Sequence, residues 1–276
     1  MSRADLRFLG SEVRLLFGRR RTWALLAVLA AVPVLLGVAL DLSSDGGGDG
    51  DGDGPPFLDR VTENGLFLAV VSLGVTVPFF LPLAVGVVAG DSVAGEAQLG
   101  TLRYLLAVPV GRTRLLVVKY LAAASFCLAA TVLVAVVGVL TGLALFPVGD
   151  VTLLSGDVVG VGGAAWRVLL LAGYVMVSLL GLCAVGLFVS TLTEIPVGAM
   201  AATVVLAIAS QILDSVPQLG WLHPWLFTHH WLGYADLLRE PVVWGSTVDN
   251  AVLQSGYVLV FGALAWARFT TRDVTS

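Results

Sequence analysis

Four places in the 276-residue sequence hold residue types at spacings that could do chemistry. Asp49, Asp51, Asp53 and Gly54 open like a calcium loop, but the twelfth position, where a bidentate Glu must close the coordination sphere, is Arg60. The stretch therefore reads as a flexible acidic linker. His223, His229 and His230 would suffice to ligate zinc or copper, yet they stand among Trp221, Trp225, Phe227, Trp231 and Tyr234 and close to Pro217, Pro224 and Pro241. Such aromatic density is the mark of a helix or re-entrant segment at a lipid–water boundary. Gly90-Asp91-Ser92-Val93-Ala94 is one residue from a nucleophile elbow, which requires Gly at position 94 and a His on the same side. Finally, a phosphate-binding loop needs Gly-x-x-x-x-Gly-Lys-Ser/Thr, and the sole lysine, Lys119, stands between Val118 and Tyr120. The expectation is a protein that is not an enzyme and binds neither metal nor cofactor itself, so that any nucleotide chemistry belongs to another polypeptide.

The elements that must position these residues follow from composition. The hydrophobic class is 58% of the chain, and the 32 glycines bring the apolar share to about 70%, against about 45–50% for soluble domains. Charged residues are only 12% and the mean hydropathy is +0.95. That excess apolar surface must face lipid, which excludes an ordinary soluble enzyme, a disordered chain and a disulfide-stapled secreted module. A hydrocarbon core of about 30 Å takes about 20 helical residues. Six runs free of Asp, Glu, Lys and Arg meet that length, at about Thr22–Leu40, Gly65–Gly90, Tyr120–Phe146, Val168–Thr193, Ile195–Leu213 and Asn250–Ala267. They are continuous rather than alternating, so helix rather than barrel strand is expected.

Orientation follows from the basic residues. Arg3, Arg7, Arg14, Arg19, Arg20 and Arg21 precede the first span; Arg103, Arg112, Arg114 and Lys119 lie between the second and third; Arg268 and Arg272 follow the last. These 12 face only Arg60, Arg167 and Arg239 on the other side, which places both termini in the cytoplasm. Thirteen of the 19 acidic residues fall in the three outer loops, leaving a net charge of -4 despite a basic inner face. The excess of 14 Arg over one Lys points to a GC-rich prokaryote and hence to its plasma membrane. The basic region is too long, and the first apolar run too close to a full bilayer, for a cleaved secretory signal.

On the inner side, Leu6, Leu9, Val13, Leu16 and Phe17 share one helical face with Arg3, Arg7 and Arg14 beside it, so residues 1–21 should form an amphipathic elbow on the inner leaflet. The segment 91–112 should form a second helix, capped by Asp91 or Ser92, with Leu99, Leu102 and Leu106 on one face and Pro109 ending it. Glu96 and Arg103 are about 10 Å apart by helical rise, too far to pair, and should meet partners elsewhere.

The block running from Asp91 through Glu96, Gly100-Thr101, Arg103, Leu105-Leu106-Ala107-Val108-Pro109-Val110 to Arg112 resembles the cytoplasmic signature of type-two ATP-binding-cassette (ABC) exporter permeases, and the six spans and elbow match it too. The resemblance implies an all-α integral membrane protein with six transmembrane helices, an N-terminal amphipathic elbow helix and a cytoplasmic coupling helix. It implies that Asp91, Glu96, Gly100, Thr101, Arg103, Pro109 and Arg112 belong to the element seated in a separate ATPase subunit, which would hold ATP and Mg. It further implies two permease copies, as homodimer or heterodimer, with two ATPase copies, contacts with membrane lipid, and no role for nucleic acid. On this reading residues 1–276 are one permease domain, with outer loops at 41–64 and 214–249. Those loops are short beside relatives that bear a large outer domain.

Moving spans need hinges and close packing. Pro78 and Pro82 should kink the second span, while Gly86-x-x-x-Gly90 and Gly138-x-x-x-Gly142 admit close helix approach, by packing within the chain or at a dimer contact. Cys127 and Cys183 fall inside spans and read as small buried apolar groups. No predicted span holds an ionisable residue, which disfavours a proton- or ion-driven carrier; a stand-alone secondary transporter or channel is the alternative function. Uncharged spans suit a lipid-like, peptide or drug-like cargo better than a small ion.

Overall fold

The computed structural model describes residues 3–45, 64–100, 111–147, 149–152 and 156–271. Within them the chain is almost wholly helical: α1 (Arg3–Gly18), α2 (Arg20–Asp45), α3 (Phe67–Thr76), α4 (Phe80–Gln98), α5 (Arg112–Leu145), α6 (Val161–Leu192), α7 (Pro196–Asp214) and α8 (Gly245–Thr271). Six of these are long and apolar enough to cross a membrane, namely α2 and α4 to α8, the pattern of a multi-pass membrane protein. The first and sixth expected runs each fall within one of these helices, and the third, fourth and fifth do so but for one end residue each, Phe146, Thr193 and Ile195. An antiparallel pair of two-residue strands, Val151–Thr152 with Val158–Val159, also joins α5 to α6, a feature the apolar periodicity does not signal.

The second run departs from expectation. Gly65–Gly90 is not one span but the short α3 followed by α4, with the break at residues 77–79. Pro78 lacks an N–H and cannot continue the ladder of α3. Gln211 of α7 donates to the Pro78 carbonyl at 2.8 Å, so the freed acceptor is satisfied inside the bundle. Pro82 breaks nothing, because it occupies the first turn of α4, where a missing N–H has no partner to lose. The membrane-long helix of this run therefore ends at Gln98 and carries Asp91 and Glu96 in its own last turns.

Helices α5 and α6 form the centre. Helices α2 and α3 pack on α5, α8 packs on α6, and α4 is held between α5, α6 and α7. Leu68, Leu81, Phe126, Val134, Leu171 and Leu182 fill the main core, and a smaller cluster of Val93, Leu115, Leu187, Ala265 and Phe269 closes the end where both termini lie. In contrast α2, α7 and α8 leave large apolar side chains such as Leu35, Val197 and Leu259 more than 60% exposed, as a lipid-facing surface demands.

The glycine pairs pack within the chain. A Cβ on Gly86 would lie 2.8 Å from Val204 and one on Gly90 2.7 Å from the Met200 backbone, so this face of α4 is sealed by α7. Gly138 lies against Ala69, and Gly142 meets Gly65 backbone to backbone, so α3 sits directly on α5. The second span is thus interior, and its small residues serve intrachain packing rather than a contact between protomers.

Candidate functional site

The charged residues of the termini end converge on one cluster. Arg19, in the bend between α1 and α2, donates from Nη1 to Asp91 Oδ2 at 2.7 Å, and Arg21 in the first turn of α2 donates to the same oxygen. Lys119 Nζ on α5 lies 3.5 Å from Glu12 Oε2 on α1 and 3.5 Å from Glu96 Oε1 on α4. Arg19 Nη2 adds a longer contact of 3.9 Å to Glu96. One turn before Lys119, Arg114 pairs with Asp5 at 2.6 Å and lies over the Phe8 ring. Elbow, first span, second span and third span are thereby joined through alternating charges.

Burial decides how much these pairs matter. The Lys119 side chain is 4% exposed and those of Asp91, Glu12 and Glu96 are 9%, 13% and 14%, so each charge has lost most of its hydration and depends on its partners. The long aliphatic stem of Lys119 starts two turns into α5, just before the apolar run that follows it.

The same end carries a device that the sequence does not announce. Ser190 of α6 donates its hydroxyl to Gly90 O at 2.7 Å and accepts from the N–H groups of Val93 and Ala94 at 3.0 and 2.9 Å. A side chain from the fourth span is thus inserted into the backbone ladder of α4 immediately before Asp91. The glycine at 90 separately lets α7 come close on its other side, since only hydrogen stands between its backbone and Met200. Ser190→Ala is expected to destabilise by about 1–3 kcal/mol, because buried backbone groups lose a partner, and to raise amide hydrogen exchange at residues 93–94. Unchanged exchange there would show that the ladder closes without the hydroxyl.

The expected site residues fall into three groups. Asp91 and Glu96 are in the cluster; Arg112 ties α5 to the last turn of α8, donating to Phe269 O at 3.2 Å and Thr270 O at 2.8 Å. Thr101, Arg103 and Pro109 lie outside the described residues, as do Asp49, Asp51, Asp53 and Arg60 of the acidic linker. Two details of the segment 91–112 are corrected. Asp91 does not cap a new helix, because α4 runs through it, and that helix does not continue toward Pro109. It stops at Gln98, with Gly100 at φ 67° in the left-handed conformation that ends helices.

The segment expected as an elbow is helical as α1, with Arg7 and Arg14 exposed, and Arg20 is exposed at the start of α2; for Arg3 only the backbone is described. Asp5, Glu12, Arg114 and Ser190 are the residues that sequence reading missed. A signal existed for the first two: Asp5 and Glu12 are seven apart, two turns of one helix face.

At the opposite end, three 3₁₀ turns, Pro217–Leu219, His223–Trp225 and Gly233–Leu238, occupy the aromatic loop 214–249, where a helix or re-entrant segment at the lipid–water boundary was expected. They are pinned by side chains from the spans. Trp231 donates to Ser178 O, Gln254 to Phe227 O, and the Ser210 and Thr228 hydroxyls bond each other. His229 Nδ1 lies 2.7 Å from Asp214 Oδ1, and burial together with neighbouring His229 holds His230 below the usual histidine range. Among the described residues no group of three His, Cys, Asp or Glu is placed to hold a metal ion. In the bundle centre Cys127 and Cys183, on α5 and α6, are buried free thiols with sulfurs 3.2 Å apart.

A protein-family model described as "Protein of unknown function (DUF2705)" matches residues 50–275. No curated protein matches the chain.

Proposed function

The chain belongs to the DUF2705 family, which assigns no activity, and from its own residues we propose that it is the membrane-spanning permease subunit of an ATP-driven ABC exporter. The observation that carries this reading is the meeting of Asp91 and Glu96, from the signature block, with Glu12 and Arg19 of the elbow and Lys119 of the third span. A subunit moved from outside needs its contact segment tied to several spans at once, and this cluster ties four helices together. The termini end is then the cytoplasmic one, following its 12 basic residues. A separate ATPase subunit, holding ATP and Mg, sits against the coupling segment at 91–112. When the ATPases close, that segment is pushed, α4 and the elbow tilt as one body about the Ser190–Gly90 contact, and cargo passes outward beside a second permease copy. No residue of this chain performs covalent chemistry.

The test is purification of the tagged chain from its native membranes. An ATP-hydrolysing subunit is expected to remain bound, and Arg103→Ala, together with Thr101→Ala, is expected to release it while the permease stays folded. Nucleotide hydrolysis by the isolated chain, or the absence of any bound ATPase, would overturn the proposal.

One observation favours the second reading, a stand-alone secondary transporter. Asp214 and His229 form an ionisable pair at the break in the second span, beside Gln211, Thr228 and Pro78. Reconstituted without any partner, a carrier of that kind moves solute down an imposed proton gradient, and Asp214→Asn abolishes the movement; a permease subunit does neither.

A further inference from the structure

At the end of the bundle opposite the termini, the break at residues 77–79 borders a pocket of about 200 Å³ between the last turn of α7 and the loop that follows it. That is less than the about 300–1,000 Å³ of a site enclosing a whole drug-sized ligand, so it holds one end of a larger molecule. Val77, Pro78, Trp231 and Leu232 supply apolar walls, and Gln211, Asp214 and His229 supply polar groups. The Asp214 and His229 side chains are 25% and 33% exposed, so an occupant reaches both.

These polar groups have acceptors to spare. Asp214 meets His229 through Oδ1 alone, and among the described residues Oδ2 has no partner. A carboxylate only accepts, so Nδ1 of His229 carries the hydrogen, and in the neutral ring Nε2 is a further acceptor. Gln211 donates from Nε2 to the Pro78 carbonyl, which leaves its Oε1 without a partner. Of the described arginines at this end, Arg167 is bound to Glu240 and Arg239 to Asp236, so neither neutralises Asp214. A metal ion is not the match, because no group of three His, Cys, Asp or Glu among the described residues is placed to hold one. One carboxylate, neutral acceptors and apolar walls suit an ammonium that carries carbon.

We propose that this pocket binds the ammonium group of an amphipathic primary amine, its N–H groups donating to Asp214 and Gln211 and its carbon chain leaving past Leu232, which is 56% exposed. That such an amine is the cargo rests on the permease function proposed above. The binding itself needs no ATPase and is read on this chain alone.

The experiment uses the purified full chain in detergent, with calorimetric titration and the thermal unfolding midpoint followed as octylamine, octyltrimethylammonium or octanoate is added. Octylamine is expected to bind and to raise the midpoint, octyltrimethylammonium to act much more weakly because it has no N–H, and octanoate not to bind. Asp214→Asn keeps an oxygen for His229 Nδ1 but removes the charge, and is expected to weaken octylamine binding about tenfold or more, the loss of one charge-assisted hydrogen bond. Ser215 is exposed at the rim and its hydroxyl bonds only back to Ile212 O, so Ser215→Leu narrows the pocket without touching Asp214 and is expected to weaken binding as well. Asp236→Asn, at the same end but outside the pocket, is expected to leave binding unchanged. Octanoate or octyltrimethylammonium matching octylamine, undiminished binding in Asp214→Asn or Ser215→Leu, or an equal loss in Asp236→Asn overturns the site.

Discussion

Lys119→Met is expected to destabilise the protein by about 3–5 kcal/mol, the cost of leaving buried charges without their partner. The substitution keeps the length and apolar stem of the side chain, so packing is little changed and the loss is electrostatic. Glu12 and Glu96, each less than 15% exposed, then face one another across the vacated ammonium position, the 3.9 Å contact from Arg19 offsetting part of the charge on Glu96. Thermal unfolding of the detergent-solubilised chain measures the effect. The triple variant Glu12→Gln/Glu96→Gln/Lys119→Met is expected to recover most of it, since neutral groups of similar shape carry no unpaired charge. A single variant as stable as the unaltered protein would mean that water reaches the cluster freely, and the idea of a buried joint between elbow and spans would fail.

Gly142→Ala is the second large effect, and its sign is the informative part. A helix-interior glycine replaced by alanine ordinarily gains about 0.5–1 kcal/mol from backbone entropy. At Gly142 the added Cβ overlaps the backbone carbonyl of Gly65, which has no flexible side chain to move aside, so α3 must separate from α5. A loss of about 1–3 kcal/mol or more is expected, together with weakened packing of Ala69 on Gly138 one turn away. Gly162→Ala on α6 and Gly256→Ala on α8, where nothing lies within 4 Å of the new carbon, are expected to be neutral or stabilising. Equal stability of all three variants would show that the α3–α5 contact is loose. The comparison needs only unfolding midpoints measured under one condition.

Much of the fold was legible because lipid imposes a simple rule. A long charge-free run in this setting has to be a helix, and five of the six expected runs match single helices, overrunning them by at most one residue. The second failed for a local reason: Pro78 interrupts an apolar run that length and hydropathy alone read as continuous, and Gln211 makes the interruption tolerable from a helix 133 residues away. The expected helix start at Asp91 failed for a similar reason, while residues 101–110 of that segment lie outside the described residues. Asp91 and Ser92 are good capping residues, but capping matters only where a helix has to start, and α4 has no reason to stop before Gly100.

The candidate site was half legible. Asp91, Glu96 and Arg112 stood out by their block, and the amphipathic elbow by its periodicity. What periodicity could not say is which charge meets which. Asp91 is bonded by residues 72 and 70 positions before it, and Ser190 reaches Gly90 from 100 positions away.

Sequence alone determined that this chain lives in a membrane, that it crosses as helices, and that its basic residues gather at one end, because those properties depend on composition and on the residue-by-residue cost of placing charge in hydrocarbon. Only the tertiary structure decided that Lys119 is buried between Glu12 and Glu96, that Ser190 enters the ladder of α4, and that the glycine pairs seal α4 to α7 and α3 to α5. Those outcomes depend on which helices become neighbours, and packing between helices is set by the whole surface each one presents rather than by any local run of residues.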